Sequence, residues 1–373
     1  MQLYVTLPPG LEDIAAREIE SLGGKIIEIR HGKGRVFFEG DLELMAKLNY
    51  MARTIERVMI LMTVEKFKDL DDIYKIVKNL DFTWIKPDQS FAIRPLRAGE
   101  HDFTSLDVGR VAGQAVIDSY KEARGVRLNV NLDEPDVIIR VDVIFDEVYV
   151  GIDTTGDEAL HKRGYRVYDH PAPLNPAIAS SLIMLSDWNQ DKTLLDPMCG
   201  SGTILIEAAM MCRNIPPQKF RKEKFLFVNI YGSDLLNDIR ESIEENNNRA
   251  TIIGIEKFRK HIIGARMNAN AAGVEDTIDF IQGDATRLCL DEVDIVVTNP
   301  PYGLRIARKS IIEELYDGFL RSAKGVVMDK IVIITAEDKI LRDKALRYEY
   351  SIERELKVKY GGLDTSVFVL SLV

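Results

Sequence analysis

From residue 175 onward the chain alternates short, almost uninterrupted apolar runs with stretches of helical periodicity. The runs fall at residues 193–195, 251–255, 277–281, 295–298 and 330–335. A strand that is apolar on both faces has to be covered on both faces, which is the condition of a parallel sheet with helices on either side. The pattern therefore predicts a doubly wound, mainly parallel α/β sheet. Ligands bind such sheets at the carboxyl ends of the strands, so the residues at those ends are the first candidates for chemistry.

The first run leads into Asp196-Pro197-Met198-Cys199-Gly200-Ser201-Gly202-Thr203 and then a helical stretch, 204–211. Gly200 and Gly202 lack a Cβ and let the backbone approach a ligand closely. The free amides at the helix start suit a carboxylate. The order is neither GxGxxG nor GxxxxGK[ST], so a dinucleotide pyrophosphate or a nucleoside triphosphate fits it less well. The second run ends on Glu256, a position suited to accepting hydrogen bonds from ribose hydroxyls. Asp234, in Tyr231-Gly232-Ser233-Asp234, is its rival; Glu256 is preferred because the helix after it carries Asn268, Ala269 and Asn270. The third run ends at Gln282-Gly283-Asp284-Ala285, where Asp284 can accept from an adenine amine.

The fourth run ends in Asn299-Pro300-Pro301-Tyr302. This turn brings an amide, two carbonyls and an aromatic face to one point. The Asn299 side-chain oxygen and the Pro300 carbonyl can each accept from an exocyclic amine, while Tyr302 stacks on the ring that bears it. The two prolines donate no N–H and have fixed φ, which keeps the carbonyls free and aimed.

Other features narrow the class. No apolar run approaches the roughly 18–20 residues of a membrane span. The start Met1-Gln2-Leu3-Tyr4-Val5-Thr6 reads as a strand rather than a basic-then-apolar signal. The three cysteines, Cys199, Cys212 and Cys289, form no CxxC, so neither a zinc site nor a disulfide framework is expected, and a reduced cytoplasmic setting fits. A net charge of −10 counts against nucleic acid as a default partner. Local basic surface can still meet phosphates. Three concentrations lie near the candidate chemistry: Arg213, Lys219, Arg221, Lys222 and Lys224; Lys257, Arg259, Lys260 and Arg266; and Arg305, Arg308 and Lys309 after the Asn-Pro-Pro-Tyr turn.

The first half reads as two α+β modules. Residues 1–54 carry a strand, a helix at 11–22, a hairpin around His31-Gly32-Lys33-Gly34 and a helix capped by Asp41, a β-α-β-β order of ferredoxin-like type. Residues 55–153 form a second module ending in a hairpin, 137–144 with 147–152. Residues 154–173 read as a linker, and residues 174–373 as the doubly wound domain.

Taken in order, the four strand-end motifs resemble the class I S-adenosylmethionine (SAM)-dependent methyltransferases, and the last resembles those that methylate exocyclic amines of bases. The resemblance implies a Rossmann-like methyltransferase domain. Asp196, Gly200, Ser201, Gly202 and Thr203 would surround the methionine moiety, with Glu256 at the ribose and Asp284 with Ala285 at the adenine. Asn299, Pro300 and Tyr302 would hold the target. One departure is the crossover of some forty residues before the Glu256 strand.

Arg94 and Arg97, then His101-Asp102-Phe103-Thr104-Ser105-Leu106-Asp107 and Val111-Ala112-Gly113-Gln114-Ala115-Val116, look like a THUMP domain, an RNA-binding module. Gly164-Tyr165-Arg166 with His170-Pro171-Ala172-Pro173-Leu174-Asn175 resembles the join in THUMP methyltransferases, where Asn175 and Pro176 would help close the cofactor pocket. Thr6-Leu7-Pro8-Pro9-Gly10-Leu11-Glu12 resembles the ferredoxin-like start of acceptor-stem guanine-N2 methyltransferases and their bacterial rRNA relatives. Together these imply a monomeric, metal-free tRNA guanosine-N2 methyltransferase acting on guanosine 6. It would use SAM and release S-adenosylhomocysteine (SAH), with Arg94, Arg97, Arg305, Arg308 and Lys309 as RNA contacts. The alternatives are guanosine 10 of tRNA, an rRNA guanosine, an adenine N6, a glutamine amide, and an RNA-binding or chaperone protein without catalysis.

Overall fold

In the computed structural model the described residues are 1–301 and 309–372, and their strands form two sheets. The first is built from β1 (Gln2–Thr6), β2 (Lys25–Arg30), β3 (Arg35–Glu39), β4 (Arg57–Lys66), β5 (Ser90–Ala98), β6 (Asn129–Val130), β7 (Val137–Ile144) and β8 (Glu147–Asp153). Helices α1 (Glu12–Ser21), α2 (Leu42–Met51), α3 (Leu70–Lys78) and α4 (Ser105–Arg124) intervene. Local chemistry sets several of these ends. Asp41 accepts the Leu44 amide at 2.8 Å as the N-cap of α2, and Thr104 with Asp107 forms a capping box on α4.

Both ferredoxin-like and THUMP-like modules are present, but they are not separate bodies. The strand order β2-β3-β1-β4-β8-β7-β5-β6 is one continuous sheet, closed across the modules where β1 pairs with β4 and β4 with β8. Such pairings join residues far apart in sequence, and no local periodicity announces them.

The second half holds α5 (Pro176–Leu185), β9 (Leu194–Asp196), α6 (Thr203–Cys212), α7 (Phe227–Tyr231), α8 (Asp234–Ser242), β10 (Ile252–Glu256), α9 (Arg259–Ala271), β11 (Ile278–Gln282), β12 (Val293–Thr298), α10 (Lys309–Ala323), β13 (Val327–Thr335), α11 (Asp338–Arg347), β14 (Tyr350–Tyr360) and β15 (Leu363–Leu372). The sheet order is β11-β10-β9-β12-β13-β15-β14, parallel from β11 to β13, with the hairpin β14–β15 antiparallel. The order reverses between β9 and β12, the switch point where ligands enter doubly wound sheets. Four of the parallel strands match the expected runs to within a residue or two, and β13 begins three residues earlier than its run.

One hydrophobic core spans the N-terminal module and the parallel sheet, running from Leu3, Ile14 and Leu48 through Ile178, Leu182 and Leu205 to Val367. The THUMP-like module keeps its own core around Val108, Val116 and Val141. A buried polar knot reinforces the first junction. Arg163 Nε donates to Glu207 Oε1 at 3.2 Å and its Nη2 to the Arg53 carbonyl at 2.8 Å, while Tyr165 and Ser180 hydroxyls donate to Glu207 at 3.0 and 2.8 Å. Burial works to raise the Glu207 carboxyl, but Arg163 and Arg53 hold it below the ordinary range. Farther out, the Lys359 amide donates to the Pro9 carbonyl at 3.0 Å, and Gly10 lies so close to β14 that a Cβ there would sit 1.8 Å from the Lys357 carbonyl oxygen.

The long crossover before β10 is accounted for by α7 and α8. Helix α8 packs on α2, with the Arg240 guanidinium 5.5 Å from the Tyr50 ring centre. The α7 segment reaches the THUMP-like module: Gln89 Nε2 donates to the Asn229 carbonyl at 3.0 Å, and Asn229 Nδ2 to the Asp136 carbonyl at 3.1 Å. The segment 154–173, expected as a linker, is packed rather than loose, with Thr154 and Thr155 fully buried and Arg163 nearly so.

Candidate active site

At the switch point, β9 ends on Asp196, buried to 2 % exposure. Its Oδ1 accepts from the Thr298 hydroxyl at 2.7 Å and from the Met198 amide at 3.2 Å. Burial pushes the Asp196 carboxyl up to about 7, against the lowering effect of the Thr298 and Met198 bonds. The turn that follows needs its glycines: Gly200 and Gly202 have φ of +51° and +79°, in the left-handed region. Gly202 is also the N-cap of α6 and offers that helix no side-chain cap, so the first amides of α6 remain available to an anion.

Glu256 closes β10 directly beside this turn. Its Oε2 accepts the Gly200 amide at 3.2 Å and its Oε1 the Phe258 amide at 2.9 Å. Asp234, the rival acid, is exposed at the start of α8 in the crossover, off the strand tips. The geometry favours Glu256. Asp284 follows β11, where its Oδ1 accepts from the Thr286 amide and hydroxyl at 3.0 and 2.7 Å and its Oδ2 from Lys257 at 3.0 Å. The Thr286 bonds, with Lys257, take its carboxyl down to about 2. Ala285, Ser201 and Thr203 are buried beside these groups.

Asn299 follows β12. Its Oδ1 is buried and has no hydrogen-bond partner among the described residues. A buried amide oxygen left unpaired costs about 1–3 kcal/mol, which an incoming donor recovers. Pro300 is buried next to it. Tyr302, Arg305 and Arg308 lie outside the described residues, and Lys309 opens α10.

The remaining expected residues are placed elsewhere. Asn175 caps α5 by accepting the Ala177 amide at 2.8 Å, and its Nδ2 donates to Glu56 of the N-terminal module at 2.9 Å. Pro176 is the buried first residue of that helix. Arg94 and Arg97 stand on β5, in the other sheet. Arg94 donates twice to Asp157, at 2.8 Å each, whereas the exposed Arg97 reaches only the Gly99 carbonyl, at 2.9 Å, and the His101 ring, at 3.2 Å. Among the described residues no group of three or more His, Cys, Asp or Glu side chains is arranged to hold a metal ion, and no helix is long and apolar enough to cross a membrane.

Asn268, noted in the sequence only as part of the helix that follows Glu256, joins two segments beside the glycine turn. It is 1 % exposed on α9, accepts the Val167 and Tyr168 amides at 2.9 and 2.8 Å and donates to the Ser201 carbonyl at 3.2 Å. A helix whose inward stripe carries Gly264 and Asn268, four residues apart, has two positions unsuited to core packing, and that is the signal that marks it.

Comparison with known proteins agrees with this layout. Residues 2–59 match a ferredoxin-like domain family, residues 67–153 the THUMP domain, and residues 163–366 the RMKL-like methyltransferase domain. The chain is a THUMP-containing methyltransferase of the RMKL-like family. It is 58 % identical, over the whole of both chains, to a tRNA (guanine(6)-N2)-methyltransferase of Methanocaldococcus jannaschii. A protein of the same name from Archaeoglobus fulgidus is 50 % identical over the whole of this chain and 92 % of its own. Among solved structures, one described as a possible methylase from Clostridium difficile superposes with a TM-score of 0.86 at 30 % identity, covering 100 % of this chain and 98 % of that one. In this methyltransferase a glycine turn, the uncapped amides of α6 and the carboxylates of Glu256 and Asp284 lie together at the carboxyl ends of adjacent strands.

Proposed function

We propose that the protein transfers the methyl group of SAM to the exocyclic N2 of guanosine 6 in the acceptor stem of tRNA, releasing SAH. The observation that carries this reading is Asn299 Oδ1, a buried acceptor with no partner among the described residues, one residue beyond β12, whose Thr298 binds Asp196 of β9. Its supports are the family and the full-length relatives that bear that activity in their names.

When bound, SAM supplies a methyl group on a positively charged sulfur. Guanine N2 is a weak nucleophile because its lone pair is delocalised into the ring. Hydrogen bonds from its two N–H groups to Asn299 Oδ1 and the Pro300 carbonyl turn that lone pair toward the methyl. The N–C bond forms as the C–S bond breaks, the electron pair goes to sulfur, and the N2 proton then leaves to solvent. Orientation of this kind contributes up to roughly 7–11 kcal/mol. A paired guanosine has to leave its stem, at a few kcal/mol. Stacking on Tyr302, worth about 1–3 kcal/mol, offsets part of that.

In this reading the THUMP-like module meets phosphates, with Arg97 more available than the Asp157-bound Arg94, and the protein works in the cytoplasm as a monomer. The test is transfer of labelled methyl from SAM to unmodified tRNA transcripts, followed by digestion and mapping. N2-methylguanosine at position 6 supports the reading. The same nucleoside at position 10, or label only in rRNA fragments, keeps the chemistry and overturns the substrate.

A further inference from the structure

Residues 164–175 cross the glycine turn as a strap, and the strap is tied down along its length. Arg166 donates to the Leu174 carbonyl and, at 3.1 Å, to the Thr203 hydroxyl. Asn268 binds the Val167 and Tyr168 amides on one side and the Ser201 carbonyl on the other. The Tyr360 hydroxyl holds the Pro173 carbonyl at 2.5 Å. The Tyr168 ring lies flat on Gly264, where a Cβ would come within 2.1 Å of it, and its hydroxyl meets His261 Nδ1 at 2.8 Å.

Between these anchors stands His170. Its ring meets His261 edge-on, with centres 4.4 Å apart. Its Nε2 is the atom nearest to where a Cβ on Gly200 would project, 3.5 Å away. The Ala172 amide donates to His170 Nδ1 at 3.1 Å. Nδ1 is therefore the acceptor, and a neutral ring carries its proton on Nε2, the nitrogen over the turn. The ring is thus fixed in place and tautomer by groups that belong to the strap and to α9.

We propose that His170 binds the cofactor directly, its Nε2–H donating to the carboxylate of the methionine moiety, an assignment that rests on the SAM reading of the strand-end site. Two features favour a carboxylate. The turn beneath His170 leads into the uncapped amides of α6, which attract an anion. The ribose side of the turn is served by Glu256, an acceptor that calls for donors on the ligand. A neutral imidazole N–H above and backbone amides below then grip the anion from two sides, and neither needs a formal positive charge.

Calorimetry with SAH and with 5′-methylthioadenosine tests this, because the second ligand keeps the adenosine and lacks the carboxylate. His170→Ala is expected to weaken SAH about tenfold, the size of a hydrogen bond to a charged group, and to leave methylthioadenosine within about twofold. His170→Gln, which retains an N–H donor, is expected to recover part of the loss, and thermal unfolding of each variant shows that the fold is kept. Unchanged SAH affinity in His170→Ala overturns the proposal. So does an equal loss for both ligands, which assigns the ring to the ribose or to loop packing. Failure of the unsubstituted protein to bind SAH overturns the SAM reading itself, before any variant is compared.

Discussion

The Thr298 hydroxyl donates to Asp196 Oδ1 at 2.7 Å, linking the tip of β12 to the tip of β9. The Asn-Pro-Pro turn after β12 and the glycine turn after β9 are therefore registered against each other through one buried carboxyl.

That carboxyl makes stability depend on pH with a definite sign. Its folded value, about 7, lies above the ordinary aspartate range, so between roughly pH 4 and 7 the folded chain binds a proton that the unfolded chain does not. The contribution is present at low pH and lost as pH rises through 7. Asp196→Asn removes it. In urea unfolding the variant should gain on the unsubstituted protein by up to roughly 4 kcal/mol between pH 4 and 8. A gap that stays flat across that range means the carboxyl is not buried as described.

Thr298→Val keeps the shape and deletes the donor. The expected cost is about 1–3 kcal/mol at pH 8, because a buried acceptor loses its partner. The Asp196 midpoint should also move upward. Both are read from the same unfolding series, and an unshifted midpoint would sink the assignment.

Asn299→Ala removes the buried acceptor that we propose binds the target amine. Methyl transfer to tRNA should become undetectable while SAH affinity, measured by calorimetry, stays within about threefold. Loss of SAH binding in this variant would make Asn299 a cofactor residue instead.

Gly264→Ala places a methyl group inside the Tyr168 ring. The strap has to lift or the helix has to shift, at about 1–3 kcal/mol. SAH affinity should fall together with Tm, and Tyr168→Ala combined with Gly264→Ala should restore much of the Tm. Wild-type SAH affinity in the single variant would show that the strap does not shape the pocket.

Glu207→Gln leaves Arg163 and Arg53 buried without their carboxylate. Breaking a buried pair in this way costs about 3–5 kcal/mol. Because the knot joins the N-terminal module to the methyltransferase domain, calorimetry should show those two regions still unfolding together at a lower temperature. An early transition confined to the N-terminal module would contradict the shared core.

Much of this was legible in the residues. The parallel strands are apolar on both faces and stand out at Thr298 or Ile255 without any partner being known. The acids and glycines at their ends are marked by position alone. The hairpin β14–β15 was harder: β14 mixes Glu353, Arg354, Glu355, Lys357 and Lys359 with few apolar residues, because one side of it faces solvent. Arg163 and Glu207 were invisible for another reason. Charged residues read as surface, and only the fold reveals that these two bury each other. His170 sat in a proline-rich stretch read as a connector, and nothing local says that its ring lies over Gly200. Arg94 was singled out as a cation for RNA, but charge in a sequence does not disclose the Asp157 already holding it.

The bond between the Lys359 amide and the Pro9 carbonyl sets a condition on how the chain is made. The two groups leave the ribosome about 350 residues apart, an interval of roughly 20–70 s at ordinary elongation rates. For that time the apolar side of α1, with Leu11, Ile14 and Ile19, has emerged while much of the core that covers it has not. The contact between Pro9 and β14 is thus among the last that the N-terminal module can make during synthesis.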